Sequence, residues 1–196
     1  MHFPDDMTFQ YFFFDTYPGY FLQVLPIALL AGIAYFIIKH RKDTAMPTRK
    51  KIFGALFVCY MAGLVCLVLA IDIIGSVWYR LIYHQDDGLV IRMFAWDCNF
   101  IPYFFTQFNS EMIANIVLFL PFGILFPLSR SETTWKKTLL VGFLCIVGIE
   151  VLQPVFGRAF DVNDICLNMI GVGVSSFMFF MCKKMIKGRL HSKVIS

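Results

Sequence analysis

Residues 115–123 read N-I-V-L-F-L-P-F-G, residues 150–153 read E-V-L-Q, and residues 158–171 read R-A-F-D-V-N-D-I-C-L-N-M-I-G. All three lie between Met112 and Ser176, in runs otherwise long and apolar enough to cross a membrane. An ionisable or amide side chain at membrane depth is costly, so each one here is a functional-site hypothesis. Their surroundings set the class. The chain has 196 residues, is 59% hydrophobic and 15% charged, and has a mean hydropathy of +0.71. Apolar windows of about 18 residues or more, each able to span roughly 30 Å of hydrocarbon as a helix, recur along it. Transmembrane strands would alternate, and these runs do not. The expectation is an all-α integral membrane protein.

Five spans are expected, at about 20–38, 52–78, 112–128, 138–155 and 164–182. Pro26 lies within the first and Asp72 near the far end of the second. Before them, residues 1–19 hold Asp5, Asp6 and Asp15 but no Lys or Arg. That excludes the positive start of a cleavable signal and suits an aromatic lead-in on the outer side. The long connection 79–110 contains R-M-F-A-W-D-C-N-F-I-P-Y-F-F (Arg92 to Phe105). It is too interrupted to span and reads as an interfacial or re-entrant aromatic segment around 92–108. The domain plan is therefore a lead-in (1–19), one transmembrane domain (20–182) and a basic tail (183–196).

Basic residues orient the spans. Alternate connections hold six (Lys39 to Lys51), three (Arg130 to Lys137) and five (the tail), while the other side holds only Arg80, Arg92 and Arg158. The positive-inside bias places the amino terminus outside and the carboxyl terminus in the cytoplasm. These basic runs adjoin the spans and lack the interleaved aromatics that stack bases, so nucleic acid is not an expected partner. Membrane lipids are.

This orientation brings the polar residues to one depth. Asn115 lies early in an inward-running span, and Glu150 and Gln153 lie late in an outward-running one. Asp164 opens the last span, with Asn168 roughly 6 Å deeper. Glu150 and Gln153 are i and i+3 and share a helix face. Asp161, Asp164 and Asn168 form a stripe if the helix starts early enough. Asp72 is expected at a similar level. The outer half of the bundle is thus polar and the inner half apolar, and Gly171 and Gly173 would allow close helix contact below the polar groups. These groups could bond only to one another, Arg158 pairing with Glu150 or Asp164. One arginine cannot neutralise Glu150, Asp161 and Asp164 together, which favours a pocket for a cationic or hydroxyl-rich ligand, or one that handles protons.

Other chemistries fit less well. The histidines (His2, His40, His84, His191) are scattered along the chain, against a zinc site or a histidine-assisted nucleophile. D-V-N-D (Asp161 to Asp164) lacks the glycine and downstream glutamate of a calcium loop. None of the six cysteines forms a C-x-x-C pair. No metal and no cofactor are expected.

N-F-I-P-Y (Asn99 to Tyr103) resembles the N-x-I-P-F of the VanZ-like family. N-I-V-L-F-L-P-F-G resembles its N-x-x-x-F-x-P-x-G. The run from Glu150 to Gly171 resembles its E-x-x-Q followed by R-x-x-D-x-x-D-x-x-x-N-x-x-G. Tyr103 stands where phenylalanine is usual. The resemblance covers about residues 55–182 and implies a protein of a bacterial, Gram-positive plasma membrane that affects susceptibility to teicoplanin-type glycopeptides. It brings no established reaction. Three functions remain open. One is a binder of an envelope lipid precursor or lipoglycopeptide through Asn115, Glu150, Gln153, Arg158, Asp161, Asp164 and Asn168, with Asp72 and Asn99 as secondary candidates. Another is an intramembrane enzyme with Glu150 as general acid or base and Asp164 as its partner. The third is a transporter or flippase, for which the inner half offers no polar path and no inverted repeat is evident. Oligomeric state is not legible.

Overall fold

A computed structural model describes residues 8–85, 88, 93–94, 97–102 and 110–195. The chain forms helices α1 (Phe9–Asp15), α2 (Tyr17–Lys42), α3 (Thr48–Leu69) and α4 (Ile71–Tyr83), then a two-residue strand β1 (Cys98–Asn99). Helices α5 (Ser110–Ser129) and α6 (Trp135–Leu152) follow. A 3-10 turn (Gln153–Phe156) and strand β2 (Phe160–Asp161) then lead into α7 (Val162–Ile195). Five of these helices, α2, α3, α5, α6 and α7, are long and apolar enough to cross a membrane. The protein is a multi-pass helical membrane protein.

Helix α5 lies at the centre, packed most extensively on α7 and also on α3 and α6, while α2 leans on α3. The core is aromatic. Phe119, Phe122 and Phe126 of α5 meet Ile146 and Ile149 of α6, Val172 of α7, and Leu64 and Leu69 of α3. Phe57 of α3 packs edge-on against Phe122 at 5.4 Å, a geometry that aligns ring edge with ring face. In α5, α6 and α7 only 33% of the apolar window is buried by protein, and in α2 and α3 less. The remaining surface has the composition of a lipid-facing one, so helix association rests on close packing rather than on apolar burial from water.

That close packing is set at glycines. A Cβ on Gly171 would lie 2.3 Å from the Ile116 carbonyl oxygen, and one on Gly123 would overlap Ser175 and Ser176. Gly173, expected to share this role, has nothing within 4 Å of its Cβ position. It faces away from the contact.

Several expectations are corrected. The second span does not run to residue 78. It ends at Leu69, and Ala70 breaks it (φ −123°, ψ 12°) before α4 begins. Asp72 therefore lies in the first turn of a separate, 13-residue helix, too short to span, and is exposed there. The apolar run continues across the break without Gly or Pro, so the sequence carries no stop signal. The basic stretch from 183 onward is helical, as α7 continues to Ile195. Asp161 is not part of the α7 stripe. It precedes the helix and accepts the Asn163 amide at 2.7 Å, acting as a cap. The half of the bundle away from the polar cluster is not wholly apolar, because Lys51, Ser129, Thr138, Ser175 and Ser176 are buried there. Ser129, Thr138 and Ser175 donate to carbonyls of their own helices at 2.7–3.1 Å, which hides them in an apolar run. Most of the aromatic segment around 92–108 lies outside the described residues.

Gly171→Ala is expected to destabilise the protein by about 1–3 kcal/mol or more, the range for overpacking a filled contact. Gly173→Ala should change stability by less than about 1 kcal/mol. Thermal unfolding in detergent, read by size exclusion, checks the pair; equal effects would place the α5–α7 spacing elsewhere.

Candidate functional site

The N-terminal ends of α2, α5 and α7 meet the C-terminal ends of α3 and α6 around one cavity of about 550 Å³. That volume falls within the roughly 300–1,000 Å³ of small-molecule sites. All seven polar residues expected to bind a ligand line it: Asn115 from α5, Glu150 and Gln153 from α6 and its 3-10 extension, Arg158 and Asp161 from the following loop and strand, and Asp164 and Asn168 from α7. Apolar walls come from Val68 and Ile71 at the α3–α4 junction, and from Val117, Leu118 and Phe119 of α5.

The polar groups are held by one another as well as facing the cavity. Asn115 donates through Nδ2 to Asp164 Oδ1 at 2.6 Å, joining α5 to α7. Glu150, 1% exposed, accepts the Asp161 backbone amide at 3.4 Å on Oε2. The Gln153 amide is satisfied when its nitrogen faces the same oxygen at 2.9 Å and the Ala159 carbonyl at 2.8 Å. Glu150 thus pins the chain that turns from α6 into α7. Arg158, whose pairing with Glu150 or Asp164 was the alternative to an open pocket, donates from Nη1 to the Val68 carbonyl at 3.1 Å. That carbonyl belongs to the last turn of α3, where helical donors run out. Asn168 is 5% exposed, and its Oδ1 has no hydrogen-bond partner.

The secondary candidates stand outside the wall. Asn99 reaches Asp161 from behind, Nδ2 to Oδ2 at 3.5 Å. Parallel pairing of β1 with β2 sets Cys98 opposite Phe160 and Asn99 opposite Asp161. The Phe94 amide adds a bond to the Val155 carbonyl at 3.2 Å, and the Phe160 amide one to the Asp97 carbonyl at 2.9 Å. Asp72 does not line the cavity. Sequence reasoning missed Asn163, buried in the cavity wall, and Tyr17, Tyr20 and Phe21 of α2. Asn163 was visible as a third polar residue in D-V-N-D. The α2 residues carried only the aromatic signature of an interface, which does not say what they face. Among the described residues, no three His, Cys, Asp or Glu side chains come together to hold a metal ion.

Five apolar helices around a polar cavity at one end of the bundle define a polytopic membrane protein with a buried, mixed polar and apolar site. The chain belongs to the VanZ/LLP1 family, whose pattern matches residues 27–183 and so reaches back into α2. Among its relatives is Protein VanZ of Enterococcus faecium, 24% identical over 130 residues that cover 65% of this chain and 81% of that protein. No solved structure matches the chain.

The Asn115–Asp164 contact is testable by a double-mutant cycle with Asn115→Ala and Asp164→Ala. The unfolding free energies should show a coupling of about 0.5–3 kcal/mol. Strict additivity would mean that the two side chains do not act on each other.

Proposed function

We propose that this protein is a plasma-membrane protein of the bacterial envelope that lowers susceptibility to teicoplanin-type glycopeptides by binding an amphiphile in the outer leaflet. The ligand would be a lipid-linked envelope precursor or the lipid-bearing end of the antibiotic. The observation that carries this reading is the composition of the cavity, in which amides and carboxylates from four chain segments share one space with bare apolar helix faces. Such a space suits a molecule with a polar head and a hydrocarbon tail. The context comes from VanZ/LLP1 membership and the Enterococcus relative.

The orientation is part of the proposal. Fourteen of the seventeen basic residues lie on the connections opposite the cavity, which by the positive-inside bias puts the cavity toward the outside. The carboxyl terminus would then be cytoplasmic. A green fluorescent protein fused there should fluoresce, and alkaline phosphatase at the same site should be inactive; the reverse pattern would invert the assignment.

A second reading, an intramembrane enzyme using Glu150, is supported by the burial of that carboxyl beside Asp161 and near Asp164. Its weakness is that Oε2 already holds the Asp161 amide. The two readings diverge under substitution. Teicoplanin susceptibility would be measured in a Gram-positive host expressing wild type, Glu150→Gln or Asp164→Asn at matched membrane levels. Binding predicts that both variants weaken protection by a graded amount. Catalysis predicts that Glu150→Gln abolishes protection while ligand binding persists. Full protection by both would reduce the cluster to helix-to-helix glue.

A further inference from the structure

The end of the bundle opposite the cavity carries a positive charge that no described residue answers. Residues 39–51, which form the end of α2, the turn after it and the start of α3, hold six Lys and Arg against a single acid, Asp43. Asp43 Oδ1 accepts the Met46 amide at 3.1 Å. Two of the cations are engaged. Lys50 donates from Nζ to Ser131 Oγ at 2.8 Å, and the Arg49 guanidinium lies over the Phe53 ring at 5.6 Å. Lys51 differs from both. Only 3% of its surface is exposed, yet its ammonium has no hydrogen bond and no ion pair among the described residues. Glu132, exposed on the connection between α5 and α6, forms none with it. A buried charge without a counter-charge is costly, so this ammonium calls for an anion.

Local geometry sets that ammonium beside other donors. Gly54, Ala55 and Cys59 all meet α2, at Tyr35 and Gly32. Lys51 precedes Gly54 by three residues and so lies on the same side of α3. Helical side chains lean toward the N-terminus of their helix, which carries the Lys51 head over the first turn. That turn is uncapped. Pro47 stands at the N-cap with no side-chain hydrogen bond, and no acid follows it in the first turn. The Thr48 and Arg49 amides, which a helix start leaves without internal acceptors, have none elsewhere among the described residues. The Tyr35 hydroxyl, packed against Gly54, has no partner either. Lys51 Nζ is not fully enclosed, so its tip remains open to a ligand. These unanswered groups are all donors, and a phosphate offers several acceptor oxygens to match them. Beside them Ile37 and Ile38 of α2 and Ile52 and Leu56 of α3 are exposed. They belong to the two spanning helices least covered by protein, whose free faces meet lipid. Basic recesses between spanning helices of this kind hold anionic lipid headgroups.

We propose that this end of the bundle binds an anionic phospholipid of the adjacent leaflet. Its phosphate sits among Lys51, the Tyr35 hydroxyl and the Thr48 and Arg49 amides, and its acyl chains run along the exposed faces of α2 and α3. The site is separate from the cavity and stands whichever way the protein faces across the membrane.

The test is native mass spectrometry of the full-length protein, titrated in detergent with phosphatidylglycerol or phosphatidylethanolamine of the same acyl chains. Phosphatidylglycerol should bind at least about fivefold more tightly, since the ethanolamine ammonium opposes the six cations. Lys51→Gln should weaken phosphatidylglycerol about fivefold, the effect of one basic residue at a lipid surface. Thr48→Pro removes one amide where proline suits a helix start and Pro47 is already extended (φ −56°, ψ 138°). It should weaken the lipid about threefold. Lys136→Gln removes an equal charge from the exposed start of α6 and should cost less than about twofold, as screening over that separation implies. Equal binding of the two lipids by the wild type overturns the headgroup assignment. Equal losses in Lys136→Gln and Lys51→Gln reduce the site to a diffuse basic surface and overturn it. Undiminished binding in Thr48→Pro, shown folded by size exclusion, overturns the placement at the start of α3, even where Lys51→Gln fails to fold. Binding that inorganic phosphate abolishes, and chloride at equal ionic strength does not, assigns the site to a soluble phosphate and overturns the lipid.

Discussion

Helices α5 and α7 approach until the Ile116 carbonyl fills the space that a side chain at position 171 would need, and until Ser175 and Ser176 fill that of position 123. Every polar contact above this level inherits that separation. At this spacing Asn115 reaches Asp164 directly, at 2.6 Å. With one more methyl group between the helices the two side chains would be held apart, and a carboxylate would be left in a low-dielectric setting without that donor. Membrane helices gain little from apolar burial against one another, so backbone proximity of this kind is what makes a fixed polar arrangement possible.

The three motifs that resemble the family meet in space, and their meeting explains their spacing. Asn99, from the first, reaches Asp161 of the third through the β1–β2 pairing. Asn115 and Gly123 open and close the second, two turns and more apart, and each meets α7: one at Asp164, the other at Ser175 and Ser176. Within the third, Glu150 fixes the backbone of Asp161, which in turn caps α7. The chain between the last two spanning helices is thus held from inside by a carboxylate and from outside by a strand. That accounts for a loop bearing an arginine and two acids adopting a defined course at the edge of the hydrocarbon.

Much of this was legible in the sequence. Polar residues are rare inside apolar runs, so each one stands out, and alternating direction forces them to a common end. The seven residues chosen that way all line one cavity. What was not legible depended on tertiary geometry or on silence in the pattern. The break at Ala70 has no Gly or Pro beside it, and Asp72 two residues on reads equally well as a polar residue near the end of a span, so α3 and α4 read as a single span. Tyr17 and Tyr20 are separated from the rest of the site by some ninety residues, and aromatic residues near a span end look alike whether they face lipid, headgroups or a cavity. Buried serines and threonines bond back to their own helices and leave no trace of their burial. The choice between Gly171 and Gly173 required knowing which face of α7 meets α5.

The arrangement around Glu150 bears on how such a site can work. A carboxylate used as a proton carrier must change its hydrogen bonds as it acts. Here the same oxygen holds the Asp161 amide and the Gln153 side chain, and through them the cap of α7. Moving a proton onto it would weaken the contacts that position Asp161 and Asp164, so chemistry at Glu150 would disturb the geometry it depends on. Asn168 lies one helical turn deeper, buried, with an acceptor still unsatisfied. A buried, unsatisfied acceptor costs about 1–3 kcal/mol. Glu150 thus holds the frame of the cavity wall, while the Asn168 oxygen stays buried beside it.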